Sequence, residues 1–547
     1  MSLLEVNAIL FDIRSIQKFI FSGNKLRTNI GASDITCHLF QSLLVDEILT
    51  DMATAGEIGS LDKESWKKLK ELHELPSDCF VAQVGGGKAL ILFRPTDDAA
   101  ADRTKMKSVV RAFNHAVLER YPGLHTGAAI GSIDLEHFMD SEDKLFEKLK
   151  ENQNTIYPIV NIPYTGLTLF CDVNGEAATC YDCRHQIITE PAARPRWFSH
   201  EVYAKACRGK EANKAMENDF KDECHGRQFP LELEQLGQRE GENYIAIVHI
   251  DGNKMGVKFR QCQQKPPEEQ FAAYNGLALN VQHSTQDAFK AVLRYIDENY
   301  ERFGKGKDRL DLRGDYLPIR PLIFGGDDIA FVCAAKIALE ITTVYMREMI
   351  KDEDTNKRLY TCAGIAILPT NYPFFRGYQL SEQLCSSAKK NSRDPDPNKN
   401  SCWLDFAILH GEQAPTLEQI RRQEYSGAQG DMHFGPYRVD VDDSHESISK
   451  LFACTQSLAG LPRNKVKEMR NVLAHDEHDI RNFLEQLKHD GKAIPHVAGW
   501  QEYEEKLWHR QGKGENSKMR TPYIDAIEMM DFMIPKDDLV EGGEVNA

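Results

Sequence analysis

An aspartate that closes an apolar run stands twice in this chain at the same remove from a glycine-rich turn. Asp12 precedes Gly85 by 73 residues, and Asp251 precedes Gly325 by 74. The runs ending at these aspartates, 6–13 and 244–251, suit buried strands. Each turn joins two apolar stretches, 80–93 and 321–333, that read as hairpins. An amphipathic helix follows each hairpin (104–120 and 337–351), then a glycine-bearing apolar strand around Gly127 and around Gly364. Strand, helix, hairpin, helix, strand is the βαββαβ order of a ferredoxin-like unit. The repeat therefore predicts an α+β protein with two ferredoxin-like palm domains. Helices are further expected at 15–26, 282–300 and 378–390.

Outside the repeat, the rhythm changes. Four segments follow: a first palm-like domain at 1–163, a cysteine-bearing linker at 164–242, a second palm at 243–409 and a helical C-terminal domain at 410–547. The loop 391–400 is rich in Pro and Asp and reads as a turn region. The chain has 547 residues with 67 basic and 83 acidic side chains, a net charge of −16. That balance argues against a large nucleic-acid grip by this chain alone, which would need Lys and Arg to displace counterions. It leaves room for a local site where metal ions hold phosphates. No apolar stretch is long enough to span a membrane, and the N-terminus lacks a signal-peptide pattern. Thirteen cysteines, an odd number scattered through apolar runs, fit a reducing cytoplasm.

The candidate chemistry lies in the second copy. Asp251 opens the loop Asp251-Gly252-Asn253-Lys254, and Asp327 and Asp328 follow Gly325 and Gly326 in a tight turn. A ferredoxin-like sheet sets its first strand beside the hairpin, so three carboxylates are expected at one sheet edge. Such a cluster is costly without cations. Mg²⁺ or Mn²⁺ suits it, because hard oxygen ligands and substrate phosphates complete the shell. Gly252, Gly325 and Gly326 would leave room for a nucleoside triphosphate such as ATP, with Asn253 beside it, and Lys389 and Lys390 could reach its phosphates. Gly-Gly-Asp-Asp also suits a plain hairpin turn; the matching aspartate at the strand end favours the metal reading. The first copy has Gly85-Gly86-Gly87-Lys88 at its turn, with no carboxylate, so it is expected to be inactive.

Two other patterns bear on metals. Cys180-x2-Cys183, with Cys171 before it, is a half-site for structural Zn²⁺. For the fourth ligand Cys207, His185, His200, Cys224 and His225 compete, and free thiols in a degenerate knuckle are the alternative. His475-Asp476 and His478-Asp479 mimic a phosphohydrolase dyad but lack its other ligands, and read as an exposed helical face.

The ordered set of motifs resembles the large polymerase-like subunit of type III CRISPR effector complexes. The resemblance rests on Asp251-Gly-Asn-Lys-Met-Gly, Phe324-Gly-Gly-Asp-Asp-Ile, Ala363-Gly-Ile-Ala-Ile, the helix ending Ser387-Ala-Lys-Lys and Ser401-Cys-Trp-Leu-Asp-Phe. Ile16-Gln-Lys-Phe-Ile and Gly31-Ala-Ser resemble its first palm, and Phe198-Ser-His-Glu-Val-Tyr its linker. The resemblance implies synthesis of cyclic oligoadenylate from ATP in antiviral defence, with Asp251, Asp327 and Asp328 as metal ligands. It also implies guide-RNA complex subunits and target RNA as partners. Asn253 departs from the family, which usually has an acid there. The first palm begins at residue 5 with no HD nuclease domain before it, so DNA cleavage is not expected. A non-catalytic scaffold subunit and a cyclic di- or mononucleotide cyclase are the competing expectations.

Overall fold

The computed structural model describes the chain except residues 1–4, 70–71, 156–165, 183–195, 240, 307, 313, 353, 355–356, 393–399, 412–415, 512–517 and 537–547. Most of the loop 391–400 thus lies outside the described residues. The chain divides into two compact units, each assembled from separate segments. One comprises Met1–Asp219, Lys254–Thr285 and Leu322–Asp327; the other comprises Phe220–Asn253, Gln286–Pro321 and Asp328–Ala547.

The chain opens with β1 (Glu5–Arg14), α1 (Ile16–Ile20) and α2 (Leu26–His38). The single helix expected over 15–26 is therefore two. Ser22, Gly23 and Asn24 interrupt it, residue types that favour turns over helix interiors. α2 runs on through a π-helical stretch, Leu39–Leu49, into α3 (Thr50–Thr54). Then come β2 (Leu61–Asp62), β3 (Cys79–Gly85), β4 (Lys88–Phe93), α4 (Ala99–Arg120), β5 (His125–Asp134) and α5 (Phe138–Gln153). The first sheet has the order β2-β3-β4-β1-β5. β1 is antiparallel to both β4 and β5. Ala8 to Phe11 on β1 are at most 1 % exposed, and Phe11, Phe40 and Phe113 pack ring on ring, with centroids 5.1–6.1 Å apart. Burying each such ring contributes roughly 1.5–3 kcal/mol.

The linker folds as a small ribbon, β6 (Cys180–Asp182) with β7 (Arg196–Phe198), followed by α6 (His200–Asp219). α6 crosses α2 where two glycines meet: a Cβ on Gly31 would lie 1.7 Å from the Lys205 carbonyl, and one on Gly209 2.3 Å from that of Arg27. Beside the crossing, the buried Lys205 ammonium donates to the Phe19 carbonyl, to Ser22 Oγ and to Glu201, over the Phe19 ring.

After α7 (Lys221–Cys224), the second copy begins with β8 (Tyr244–Gly252), α8 (Met255–Gln261) and α9 (Pro267–Glu298). It continues through α10 (Tyr300–Gly304), β9 (Ile319–Gly325), β10 (Asp328–Ala334), α11 (Ala338–Glu348), β11 (Thr361–Pro369), α12 (Phe374–Ser392) and β12 (Trp403–Ile408). Its sheet has the order β13-β12-β11-β8-β10-β9, where β13 is Tyr437–Arg438. Within it, β11-β8-β10-β9 repeats the order β5-β1-β4-β3 of the first sheet, which is the ferredoxin-like arrangement. The fold is α+β, as the repeat implied. Helices dominate the remainder: α13 (Leu417–Glu424), α14 (Ile448–Leu458), α15 (Arg463–Leu473), α16 (Glu477–His489), α17 (Gln501–Glu504) and α18 (Tyr523–Met529). A hairpin, β14 (His509–Gln511) with β15 (Lys518–Arg520), accompanies them. Asp476 is the N-cap of α16, accepting from the amides of His478 and Asp479; His475, Asp476 and His478 are exposed and Asp479 is half-buried. They form a helix start, as read.

Candidate active site

The site follows from the register of one strand pair. β8 is buried along almost its whole length: Ile245, Ala246, Ile247, Val248 and Ile250 are at most 1 % exposed. This apolar run fixes the strand in the middle of the sheet, between β10 and β11. Because β10 is antiparallel to β8, the end of one meets the start of the other. Asp328 therefore lies directly opposite Asp251. Directly opposed residues place their Cβ atoms about 4.5–5.5 Å apart, so two like charges are held side by side. Both carboxylates are about a third exposed, each side chain at 34 %.

His249 shares their face, two residues before Asp251 on a strand whose side chains alternate. Its Nδ1 lies 3.2 Å from an Asp328 carboxylate oxygen and 3.4 Å from the Tyr378 hydroxyl. Burial is the main force on His249 and pushes its pKa down to about 4; Asp251 raises it less, and Lys389 lowers it further. At neutral pH the ring is uncharged, so its contact with Asp328 is not an ion pair.

α12 supplies the opposing cation. Lys389 Nζ donates to Asp251. Burial would lower the ammonium's pKa, but the bond and charge of Asp251 outweigh it, and the pKa stays above its ordinary value. Lys390, the next residue, is exposed. α12 reaches the sheet closely because β11 has glycine at position 364. A Cβ there would lie 2.0 Å from the Ser381 carbonyl and 2.3 Å from the Cys385 amide.

Asp327 occupies the turn just before Asp328, after Gly325 and Gly326. Gly326 has φ +64°, and a Cβ on either glycine would meet nothing within 4 Å. The turn is open and strained for any other residue type. Among the described residues, the one trio of ligand atoms lying within 4.8 Å of one another is Asp134, Glu136 and His137, largely exposed; the strand register pairs Asp251 with Asp328 instead. Asn253 is 7 % exposed. Its amide donates to the Ser401 carbonyl and its backbone N–H to Tyr360, so the side chain fastens the loop leaving β8. Gly252 ends β8 and pairs with Thr361.

The first copy repeats the frame with different chemistry. Lys88 lies opposite Asp12, where Asp328 lies opposite Asp251. Asp12 accepts from Gln153 Nε2 at 2.7 Å, near the end of α5, as Asp251 accepts from Lys389 on α12. The Lys88 ammonium lies over the Phe146 ring at 4.2 Å.

Of the proposed zinc ligands, Cys183 lies outside the described residues. Cys171 is buried against Phe198, Val202 and Ala206. Cys180 and Cys207 are partly exposed, and the Cys207 thiol neighbours Tyr203. Sequence reasoning missed His249 and Tyr378. Side chains alternate faces along any strand, so reading 244–251 as a strand would have put His249 on the face of Asp251.

Residues 244–400 match the family model described as Cas10/Cmr2, second palm domain. This segment is similar to a Cas10/Cmr2 second palm domain. The palm frame with Asp251 facing Asp328 lies within that segment. Among curated proteins none matches the sequence. Among solved structures, a Csm1-Csm4 cassette in complex with cA4 has a TM-score of 0.48 and 11 % identity, covering 96 % of this chain and 70 % of that one. Csm1 of T. onnurineus has a TM-score of 0.46 at 11 % identity, with 97 % and 70 % covered. A cassette in complex with AMPPNP has a TM-score of 0.41 at 13 % identity, with 86 % and 64 % covered.

Proposed function

We propose that the chain is a palm-type nucleotidyltransferase that joins ATP into cyclic oligoadenylate, in the cytoplasm and in the setting of a type III CRISPR complex. The observation that carries this reading is Asp328 set opposite Asp251 at the open end of a Cas10/Cmr2 second palm. Two carboxylates held face to face, each about a third exposed, are a donor set for a hard divalent cation, Mg²⁺ or Mn²⁺. Asp251 and Asp328 would hold it, with Asp327 on the adjoining turn. Bound there, the ions would make a ribose hydroxyl more acidic and neutralise the departing pyrophosphate.

The rest is the work of the chain. A ribose 3′-oxygen forms a bond to the α-phosphorus of a second ATP as the bond to pyrophosphate breaks. Gly325 and Gly326 leave open space for the phosphates. Lys389 neutralises Asp251; were Asp251 to hold a cation, the ammonium would be available to a phosphate oxygen. His249, uncharged and hydrogen-bonded to Tyr378, stands beside the carboxylate of Asp328. Stabilisation of the phosphates dominates such reactions, and no side-chain base is required. Guide-RNA complex subunits and target RNA would be its partners, and Zn²⁺ at Cys171, Cys180, Cys183 and Cys207 would serve structure alone.

Incubating the full chain with ATP and Mg²⁺, with and without target RNA and partner subunits, tests the reading. Pyrophosphate and cyclic products identified by mass spectrometry are expected, and both should vanish in Asp327→Ala/Asp328→Ala. A cyclic dinucleotide or mononucleotide would correct the product. No pyrophosphate under any condition overturns the enzyme reading and leaves the scaffold one.

A further inference from the structure

A cavity of about 510 Å³ shares no residue with the candidate active site. Its lining joins the short helical turn after β2 to the first half of α9, and all of it belongs to one compact unit. Lys67, Lys68 and Lys265 supply three cations, and Glu269 the one acid. Among the described residues, no carboxylate forms an ion pair with any of the three lysines. In a chain of net charge −16, a cavity with a local excess of cations stands against the general field. Trp66 forms a wall, 7 % exposed, with the Lys67 ammonium 5.8 Å from its ring centre.

The floor is rigid. Phe271 on α9 is buried against Phe80 and Phe138, with ring centroids 6.3 and 5.1 Å away. One turn on, the buried Asn275 donates to the Ala82 carbonyl at 3.4 Å. Gly276 follows, well inside α9. Glycine in a helix interior costs about 1 kcal/mol relative to alanine, so its presence asks for a reason. Packing gives none: a Cβ at Gly276 would meet nothing within 4 Å. Gly276 lines the cavity and is exposed, so a side chain there would stand in open space at its edge. The missing side chain keeps open a space that the protein itself does not fill.

We infer that this cavity binds a nucleoside phosphate, with phosphates on Lys67, Lys68 and Lys265 and the nucleoside between Trp66 and the flat helix face at Gly276. The volume lies within the usual range of small-ligand sites, about 300–1,000 Å³. Lysines act on phosphate as point charges, so this site needs no divalent cation, unlike the aspartate pair.

Equilibrium dialysis of the full chain with radiolabelled ADP in EDTA at low salt reads this site alone. One ADP per chain is expected. Gly276→Leu, which fills the floor while leaving every lysine in place, and Lys67→Glu/Lys265→Glu should each weaken binding at least tenfold. Gly276→Ala should weaken it less than Gly276→Leu while raising the unfolding midpoint, which separates filling the cavity from misfolding. Inorganic tripolyphosphate should compete more weakly than ADP; competition as strong as ADP overturns the nucleoside half of the site. Displacement by a short oligoadenylate assigns the nucleoside phosphate to a strand, and failure to displace assigns it to a free nucleotide. Absence of EDTA-resistant binding, or binding unchanged by both the leucine and the glutamate substitutions, overturns the proposal.

Discussion

At the residue scale, the two copies of the palm offer a built-in comparison. Asp251 faces Asp328 and is bound by Lys389; Asp12 faces Lys88 and is bound by Gln153. One frame has a pair of carboxylates to share a cation, the other a carboxylate already matched by an ammonium. Asp251→Asn and Asp328→Asn should each reduce product formation by about 100-fold or more, as expected when charge stabilisation of a phosphoryl transfer is lost. Asp12→Asn should change it less than about twofold, since Asp12 carries no such role. Steady-state pyrophosphate release measures all three. A second residue gives a pH dependence. Burial pushes the Glu142 carboxyl up to about 7 from its ordinary 4.5, with Asp143 adding to the effect and Lys88 opposing it. An acid whose folded pKa is raised costs nothing below pH 4.5, where both states are protonated. As pH rises from 4.5 to about 7, the unfolded chain ionises first and stability falls. The loss amounts to about 3 kcal/mol at most. Glu142→Gln should abolish that loss, so its advantage in urea unfolding over the parent chain should be larger at pH 8 than at pH 5. An equal difference at both pH values would show that Glu142 ionises freely in the folded state.

At the scale of elements, helix α12 carries the site as much as the strands do. It brings Tyr378 to His249 and Lys389 to Asp251, and it can do so because Gly364 lets its backbone approach β11. Gly364→Ala sets a methyl group against backbone atoms at 2.0 and 2.3 Å, which neither a rotamer change nor a flexible side chain can relieve. The helix must shift, at a cost of about 3 kcal/mol for such overpacking. Product formation should fall in parallel, although Gly364 touches neither carboxylate. Unfolding midpoint and rate measured on the same preparation check this, and a stable, fully active variant would refute it. The strands and hairpins of both copies were legible in the sequence because apolar runs, turn glycines and their spacing are local signals. The role of Gly364 was not, since a glycine in a strand says only that something comes close. Nor was His249 legible as a partner of Asp328. That contact depends on the cross-strand register, which the hydrophobic pattern sets for the whole strand at once. The split of the first helix at Ser22-Gly23-Asn24 was written in turn-forming residues that the helical spacing of Ile16, Phe19 and Ile20 had masked.

At the scale of the whole molecule, the question is what the helical C-terminal part does for the palm sheet it follows. The answer lies in one buried network inside a single compact unit. Asp405 on β12 is fully buried, and so is Asp525 on α18; His433 stands between them, with each ring nitrogen 2.9 Å from a carboxylate oxygen. Arg421 donates to Asp405 at 2.8 Å, and Asp525 also accepts from the Tyr437 hydroxyl at 2.6 Å and from the amides of Phe434 and Gly435. The palm strand and the last helix are thus joined through a histidine, not only through apolar contact. Burial pushes Asp525 up to about 7 even with four hydrogen bonds to hold its charge. Removing the middle of such a network leaves buried carboxylates without their partner, which costs about 3–5 kcal/mol. His433→Ala should therefore lower the unfolding midpoint far more than Lys390→Ala, a change at an exposed site. The damage should also be local. Urea unfolding followed by hydrogen exchange should show β12 and α18 losing protection together in His433→Ala, while β1 and β4 keep theirs. If β12 stays protected when α18 opens, the network does not join them, and the C-terminal helices are an appendage to the palm instead of part of its support.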